Sequence, residues 1–105
     1  MSIQKIAFAT YAVTDIKRAR DFYENILGLK PDSVWEGDGM AFIEYAFGEQ
    51  ILAIGMGAPN FVPGKSGATV ALEVDDFEKT VAELRGKKVT FAMEPLDSGV
   101  CHMAI

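Results

Sequence analysis

The chain of 105 residues holds one cysteine, one histidine and one tryptophan. With Cys101 alone no disulfide can form within the chain, so the sequence does not describe a stapled secreted scaffold. His102 has no second histidine to share a metal with, and no Ser or Cys nucleophile stands beside it at a motif spacing. No apolar run approaches the roughly 18 residues of a membrane-spanning helix. The opening MSIQKIAF lacks the apolar stretch and small-residue cleavage site of a signal peptide, which leads to the expectation of a cytoplasmic protein. Basic clusters are missing too, the longest being the pairs Lys17-Arg18 and Lys87-Lys88, and ten basic against fifteen acidic side chains leave a formal charge of -5. Nucleic acid and anionic membrane are therefore not expected as partners.

What the sequence does have is an apolar half, enough for one small core, and a repeated pattern. IAFATYAVTDIKRARDFYENILGL, from Ile6 to Leu29, and ATVALEVDDFEKTVAEL, from Ala68 to Leu84, each run as an alternating apolar stretch that ends in Val, meets Asp and passes into an amphipathic helix. Superposing Val13 on Val74, a shift of 61 residues (74 minus 13), sets Phe8 on Thr69, Ala12 on Glu73 and Tyr23 on Leu84. Two strand-helix units share one template.

Along the chain, residues 5 to 13 read as a strand with Phe8, Thr10 and Ala12 on one face and Ala9, Tyr11 and Val13 on the other. Asp15 is placed to cap a helix whose apolar stripe of Ile16, Ala19, Phe22, Tyr23, Ile26 and Leu27 is expected to cover the Tyr11/Val13 face, with Gly28 as its stop. Lys30 to Glu36, Met40 to Phe47 and Gln50 to Ile54 read as three further strands, separated by turns at Gly37-Asp38-Gly39 and Gly48-Glu49. Residues 55 to 67, with four Gly and two Pro, read as a linker. Beyond it the pattern predicts a strand over Ala68 to Val74, a helix opened by a capping box at Asp75 and Glu78, and strands over Val89 to Met93 and Val100 to Ile105. Gly64-Lys65-Ser66 imitates the tail of a phosphate-binding loop, but Pro59 stands where that motif needs its first Gly and a strand is expected after it.

The stretches VTDIKRARDFYENILGL and ALEVDDFEKTVAEL, with three strands between them, resemble the vicinal oxygen chelate superfamily, which includes glyoxalase I, bleomycin and fosfomycin resistance proteins, methylmalonyl-CoA epimerase and extradiol dioxygenases. The resemblance implies an α+β fold of two βαβββ modules, the glyoxalase/bleomycin resistance-like fold, with sheets curled around a cavity. It divides one domain, 1–105, into a first module 1–54, a linker 55–67 and a second module 68–105 that lacks its last strand. In the metal-dependent branches each module gives one ligand from its first strand, usually His, and one carboxylate from its last. Carried over by position, these fall on Phe8, on Thr69 and near Ala53, with the fourth in the strand the sequence does not contain. Phe and Ala carry no donor and a lone Thr hydroxyl is a poor one, so neither a metal nor another cofactor is expected.

Residues expected to line a ligand cleft are Phe8, Thr10, Thr69, Glu73 and His102 by strand parity, and Trp35, Phe42 and Glu44 from the strands between. Glu73 is either a cavity carboxylate able to serve as general acid or base, or a solvated strand end. His102 is either a proton shuttle facing that cavity or an edge histidine meeting water, while parity sends Cys101 to the other face as a small buried hydrophobe. Glu44 sits between large apolar neighbours on both faces of its strand. Trp35, Met40, Phe42, Met56 and Phe61 are core, dimer contact or the wall of an apolar pocket. The leading expectation is a metal-free protein that binds or sequesters a small apolar or aromatic molecule, paired as a homodimer across open sheet edges. The alternative is a lyase, isomerase or dioxygenase-type enzyme of the same superfamily using Glu73 or His102, or a metal site in another register.

Overall fold

A computed structural model describes residues 1–65, 67 and 69–105, so the last residue of the Gly64-Lys65-Ser66 triplet and the first of the predicted strand 68–74 lie outside the described residues. The chain divides into two compact units, Met1–Gly67 and Ala68–Ile105.

The first unit runs β1 (Ala9–Ala12), α1 (Ile16–Arg20) continuing as a π-helical stretch over Asp21–Ile26, β2 (Ser33–Gly37), β3 (Met40–Phe47) and β4 (Gln50–Met56). These strands form a four-stranded sheet in the order β1-β4-β3-β2, with β1 parallel to β4 and the other neighbours antiparallel. Local chemistry sets each boundary. The Asp15 carboxylate accepts the Arg18 backbone N–H at 3.1 Å and opens α1. Asp38 and Gly39, at φ 53° and 76°, supply the two left-handed positions of the short β2–β3 hairpin. Along β3, Ala41, Ile43 and Tyr45 are buried while Phe42 and Glu44 are only partly so, the alternation of a strand with one face in the core.

That core is the cluster Ile43, Tyr45 and Ile54, against which Val13, Ile16, Ala19, Tyr23 and Leu29 pack. The helical stripe thus covers the Tyr11/Val13 face, as its spacing predicts. Two features differ from the sequence reading. The helix widens at Asp21–Ile26, where the Leu27 N–H reaches back five residues to the Phe22 carbonyl at 2.9 Å. Residues 55 and 56, expected in the linker, belong to β4.

In the second unit, α2 (Phe77–Gly86) precedes a small hairpin of β5 (Leu96–Asp97) and β6 (His102–Met103), extended by the mutual backbone bonds of Met93 and Ile105 at 2.9 and 3.0 Å. Asp76, rather than Asp75, caps α2 by accepting the Lys79 N–H at 3.0 Å, which puts Glu78 one position short of a capping box. The predicted strand over 68–74 has no ladder among the described residues, and Val70, Leu72 and Val74 stand 37 %, 46 % and 41 % exposed. Alternation encodes a face to be buried but not the neighbour that supplies the ladder. Among the described residues the second module is formed only in part. Among the described residues no helix is long and apolar enough to cross a membrane.

One polar network ties the helix to the sheet. The Glu24 carboxylate accepts the Arg20 Nε–H at 2.6 Å and the hydroxyl of Tyr45, whose ring is almost fully buried, at 2.9 Å. Tyr45 also stacks on Tyr23, with centroids 5.6 Å apart. The Arg20 hydrogen bond holds the Glu24 carboxyl below the usual carboxylate range, while burial and then the bond to Glu24 push the Tyr45 hydroxyl above the usual phenol range. A depressed carboxyl pKa contributes stability that is complete above the unfolded value, about 4.3, and is lost as pH falls through the folded value. A raised phenol pKa contributes stability that is complete below about 10 and is lost as pH rises further. In thermal melts across pH, Glu24→Gln is expected to flatten the acid limb and Tyr45→Phe the alkaline limb, with Tyr45→Phe costing about 1–2 kcal/mol at neutral pH. Limbs that keep the wild-type slope in both variants would show that the network does not couple folding to protons.

Candidate functional site

Register determines which residues meet on the face of the first sheet turned away from α1. Thr10 pairs with Ala53 and Ala53 with Glu44, while Ala12 pairs with Gly55, Gly55 with Phe42 and Phe42 with Trp35. Paired residues in adjacent strands point to the same side, so these two rows lie side by side. The Phe8 ring meets the Phe42 ring edge-on at 5.8 Å between centroids, which brings Phe8 onto this face as well. Five of the predicted ligand-binding residues, Phe8, Thr10, Trp35, Phe42 and Glu44, therefore share one surface. Its aromatic members are accessible: Phe8 is 50 % and Trp35 49 % exposed.

Phe61 completes the cluster from the segment after β4. Its ring stacks on Phe42, with centroids 5.9 Å apart and planes 13° from parallel. It also lies directly on Gly55, where a Cβ would stand 2.6 Å from the ring. The sequence reading leaves Phe61 as core, dimer contact or the wall of an apolar pocket and does not place it over Gly55. The available signal was Gly55, since a glycine inside a strand marks a place where another group approaches the backbone closely. In the neighbouring row, the Thr10 Oγ1 is buried and has no hydrogen-bond partner among the described residues, an arrangement that costs free energy unless some group supplies the bond.

Thr69, Glu73 and His102 belong to the second unit. Thr69 and Glu73 are exposed. The His102 ring lies 5.7 Å from the Phe77 ring of α2 and lines a cavity of about 430 Å³ with Val81, Arg85, Leu96 and Asp97. His102 thus faces the helix, not the side expected from parity, and Glu73 is not among the residues described at that cavity. Cys101 is exposed, not buried. The reason is local: the Cys101 N–H bonds the Ser98 Oγ at 3.1 Å and its carbonyl accepts the Ser98 N–H at 2.9 Å, so Cys101 is part of a turn and alternation does not pass through it.

The metal-ligand positions implied by the resemblance do not fit a metal. Phe8 contributes a ring to the aromatic cluster, Ala53 is fully buried without a donor, and Thr69 brings one hydroxyl. Among the described residues no three His, Cys, Asp or Glu side chains converge to hold a metal ion.

The one complete βαβββ sheet and the echo of its opening in the second unit define the class. This chain belongs to the Glyoxalase/Bleomycin resistance protein/Dioxygenase superfamily, whose model it matches over residues 5–105. No protein of curated function matches it. Among solved structures it is similar to TnmS3, an antibiotic binding protein from Streptomyces sp. CB03234, at 22 % identity and TM-score 0.76, over 93 % of this chain and 81 % of that one. It is also similar to a glyoxalase/bleomycin resistance protein from the same Streptomyces, at 22 % identity and TM-score 0.71, over 90 % and 82 %. A third is the trypanothione-dependent glyoxalase I of Leishmania major, at 21 % identity and TM-score 0.72, over 97 % and 79 %. At these identities the likenesses establish the fold.

Gly55→Ala is expected to drive the Phe61 ring off the sheet, because the methyl group claims the ring's place and the clashing atoms are the far end of a side chain. The cost is expected at about 1–3 kcal/mol. Ring-to-ring nuclear Overhauser contacts between Phe42 and Phe61 would disappear; their persistence in the folded variant would contradict the packing described.

Proposed function

We propose that this protein binds a small apolar or aromatic molecule, without metal and without a catalytic step, on the aromatic face of its first sheet. The observation that carries the reading is the Phe8–Phe42–Phe61 cluster beside a half-exposed Trp35, on a face that α1 leaves uncovered. The half-exposed Phe8 and Trp35 beside the partly buried Phe42 and Phe61 offer flat apolar contact, and such contact is what an aromatic ligand uses for affinity. The Glu44 carboxylate, paired with Ala53 in the adjoining row and only partly buried, would fix orientation by accepting a hydrogen bond from a polar edge of the ligand. Antibiotic binding by TnmS3, which has the same fold, is consistent with a sequestering role. We propose also that a second copy of the chain covers the apolar residues Val70, Leu72 and Val74 to form a homodimer in the cytoplasm.

Trp35 is the chain's single tryptophan and lies on the proposed face, so its fluorescence reports occupancy. Titration with the neutral aromatic probe N-phenyl-1-naphthylamine is expected to change Trp35 emission saturably in metal-chelated buffer. Phe8→Ala is expected to weaken the binding by about three- to tenfold, the worth of one aromatic contact. Binding that requires an added divalent cation, or that ignores Phe8→Ala, would overturn the reading. Sedimentation equilibrium at micromolar concentration is expected to give a dimer, and a stable monomer would remove the second copy from the proposal.

A further inference from the structure

Phe61 occupies the place on this face that is best shaped for a flat ring. It is stacked nearly parallel on Phe42 and rests on the only glycine in β4, with the backbone of Gly55 as its floor. The segment carrying it is held lightly. The Phe61 N–H bonds locally, to the Ala58 carbonyl at 2.9 Å, and the flanking Val62 is 78 % exposed. Further along, Pro63, Gly64 and Lys65 roof a cavity of about 640 Å³ over Val13, Ala19 and Phe22, so this strap does not close tightly on the helical side of the unit. A ring that is well seated, on a strap that is poorly seated, can leave without disturbing the sheet.

We infer that Phe61 is an internal stand-in for the ligand: in the free protein it fills the slot over Gly55, and a planar aromatic ligand enters by displacing it and stacking on Phe42 in its place. The inference rests on the aromatic-face reading and adds to it a gate and a ligand class, a flat ring one aromatic layer thick. The geometry makes the gate competitive, because ring and ligand cannot both lie on Gly55. Apparent affinity is then the intrinsic affinity reduced by the fraction of molecules in which Phe61 has swung out. Removing the ring removes that reduction.

The test uses the full chain and N-phenyl-1-naphthylamine, followed by Trp35 quenching and probe fluorescence, in wild type and Phe61→Ala. Phe61→Ala is expected to bind at least about fivefold tighter. In proton spectra of the free wild type, ring-to-ring nuclear Overhauser contacts between Phe42 and Phe61 are expected, and as the probe saturates they should be replaced by contacts from probe protons to Phe42 and to the Gly55 α-protons. Wild-type binding that is unchanged or weakened in Phe61→Ala would identify Phe61 as a fixed wall and overturn the gate while leaving the aromatic-face reading intact. Retention of the Phe42–Phe61 contacts at saturation would overturn it equally. No binding to either protein, with Phe61→Ala shown folded by its amide spectrum, would remove the aromatic-face reading and the gate with it.

Discussion

Burial of Ile43, Tyr45 and Ile54 beneath α1 is the constraint on which the rest of the first unit depends. Side chains alternate along a strand, so fixing one face fixes the other, and a one-residue slip in any strand would exchange them. Tyr45 makes the choice costly to reverse. Its ring has almost no exposure, and its hydroxyl finds its partner only on the helical side, in the Glu24 carboxylate that Arg20 also holds. Turning Tyr45 outward would take one donor from the part-buried Glu24 carboxylate and expose an aromatic ring at once. Phe8, Thr10, Phe42, Glu44 and Trp35 are therefore placed on the open face by residues that never touch it.

The composition of β4 then separates this chain from the metal-dependent pattern it resembles. On the open face β4 presents Ala53 and Gly55, two of the smallest residues available, between Thr10 and Ala12 on one side and Glu44 and Phe42 on the other. A carboxylate at Ala53 would provide a metal donor but would fill the floor. Small residues give up the donor and leave backbone that a ring can approach, as Phe61 does at Gly55. Donor chemistry and flat apolar contact compete for the same positions, and at Ala53 and Gly55 this sequence carries no side-chain donor.

The first module was legible because its signals are local and agree with one another. Asp15 caps, Gly28 and Asp38-Gly39 take left-handed backbone, and the two periodicities point their apolar faces at each other. The second module was less legible because its pattern depends on partners at a distance. Val70, Leu72 and Val74 alternate as a half-buried strand should, yet no ladder forms with them among the described residues. His102 was misplaced for a related reason: parity is dependable inside a ladder, and the turn at Ser98 and Cys101 breaks it one residue before the short β6 begins. On the site, grouping by register was readable from the alternation of β1 and β3. The stacking of Phe61 was not, since it joins residues 42 and 61 through a segment with no periodicity to read.

Because the two faces of the sheet are set by different residues, the open one can change without loosening the core. Substitution at Phe8 or Trp35 alters exposed surface, whereas substitution at Tyr45 or Ile54 alters the cluster that fixes the register. Phe61 is where this independence ends. Its contact with Phe42 and Gly55 buries apolar surface in the free chain and so adds to stability, but the same contact occupies the slot that gives a flat ring its best seat. Every increment that holds Phe61 down raises the free energy a ligand must match, so stability of the empty face and affinity for a ring trade against each other at this residue alone. A strap that is locally bonded and loosely roofed keeps that increment small, and it places the balance point in the length and packing of residues 57–65, not in the sheet.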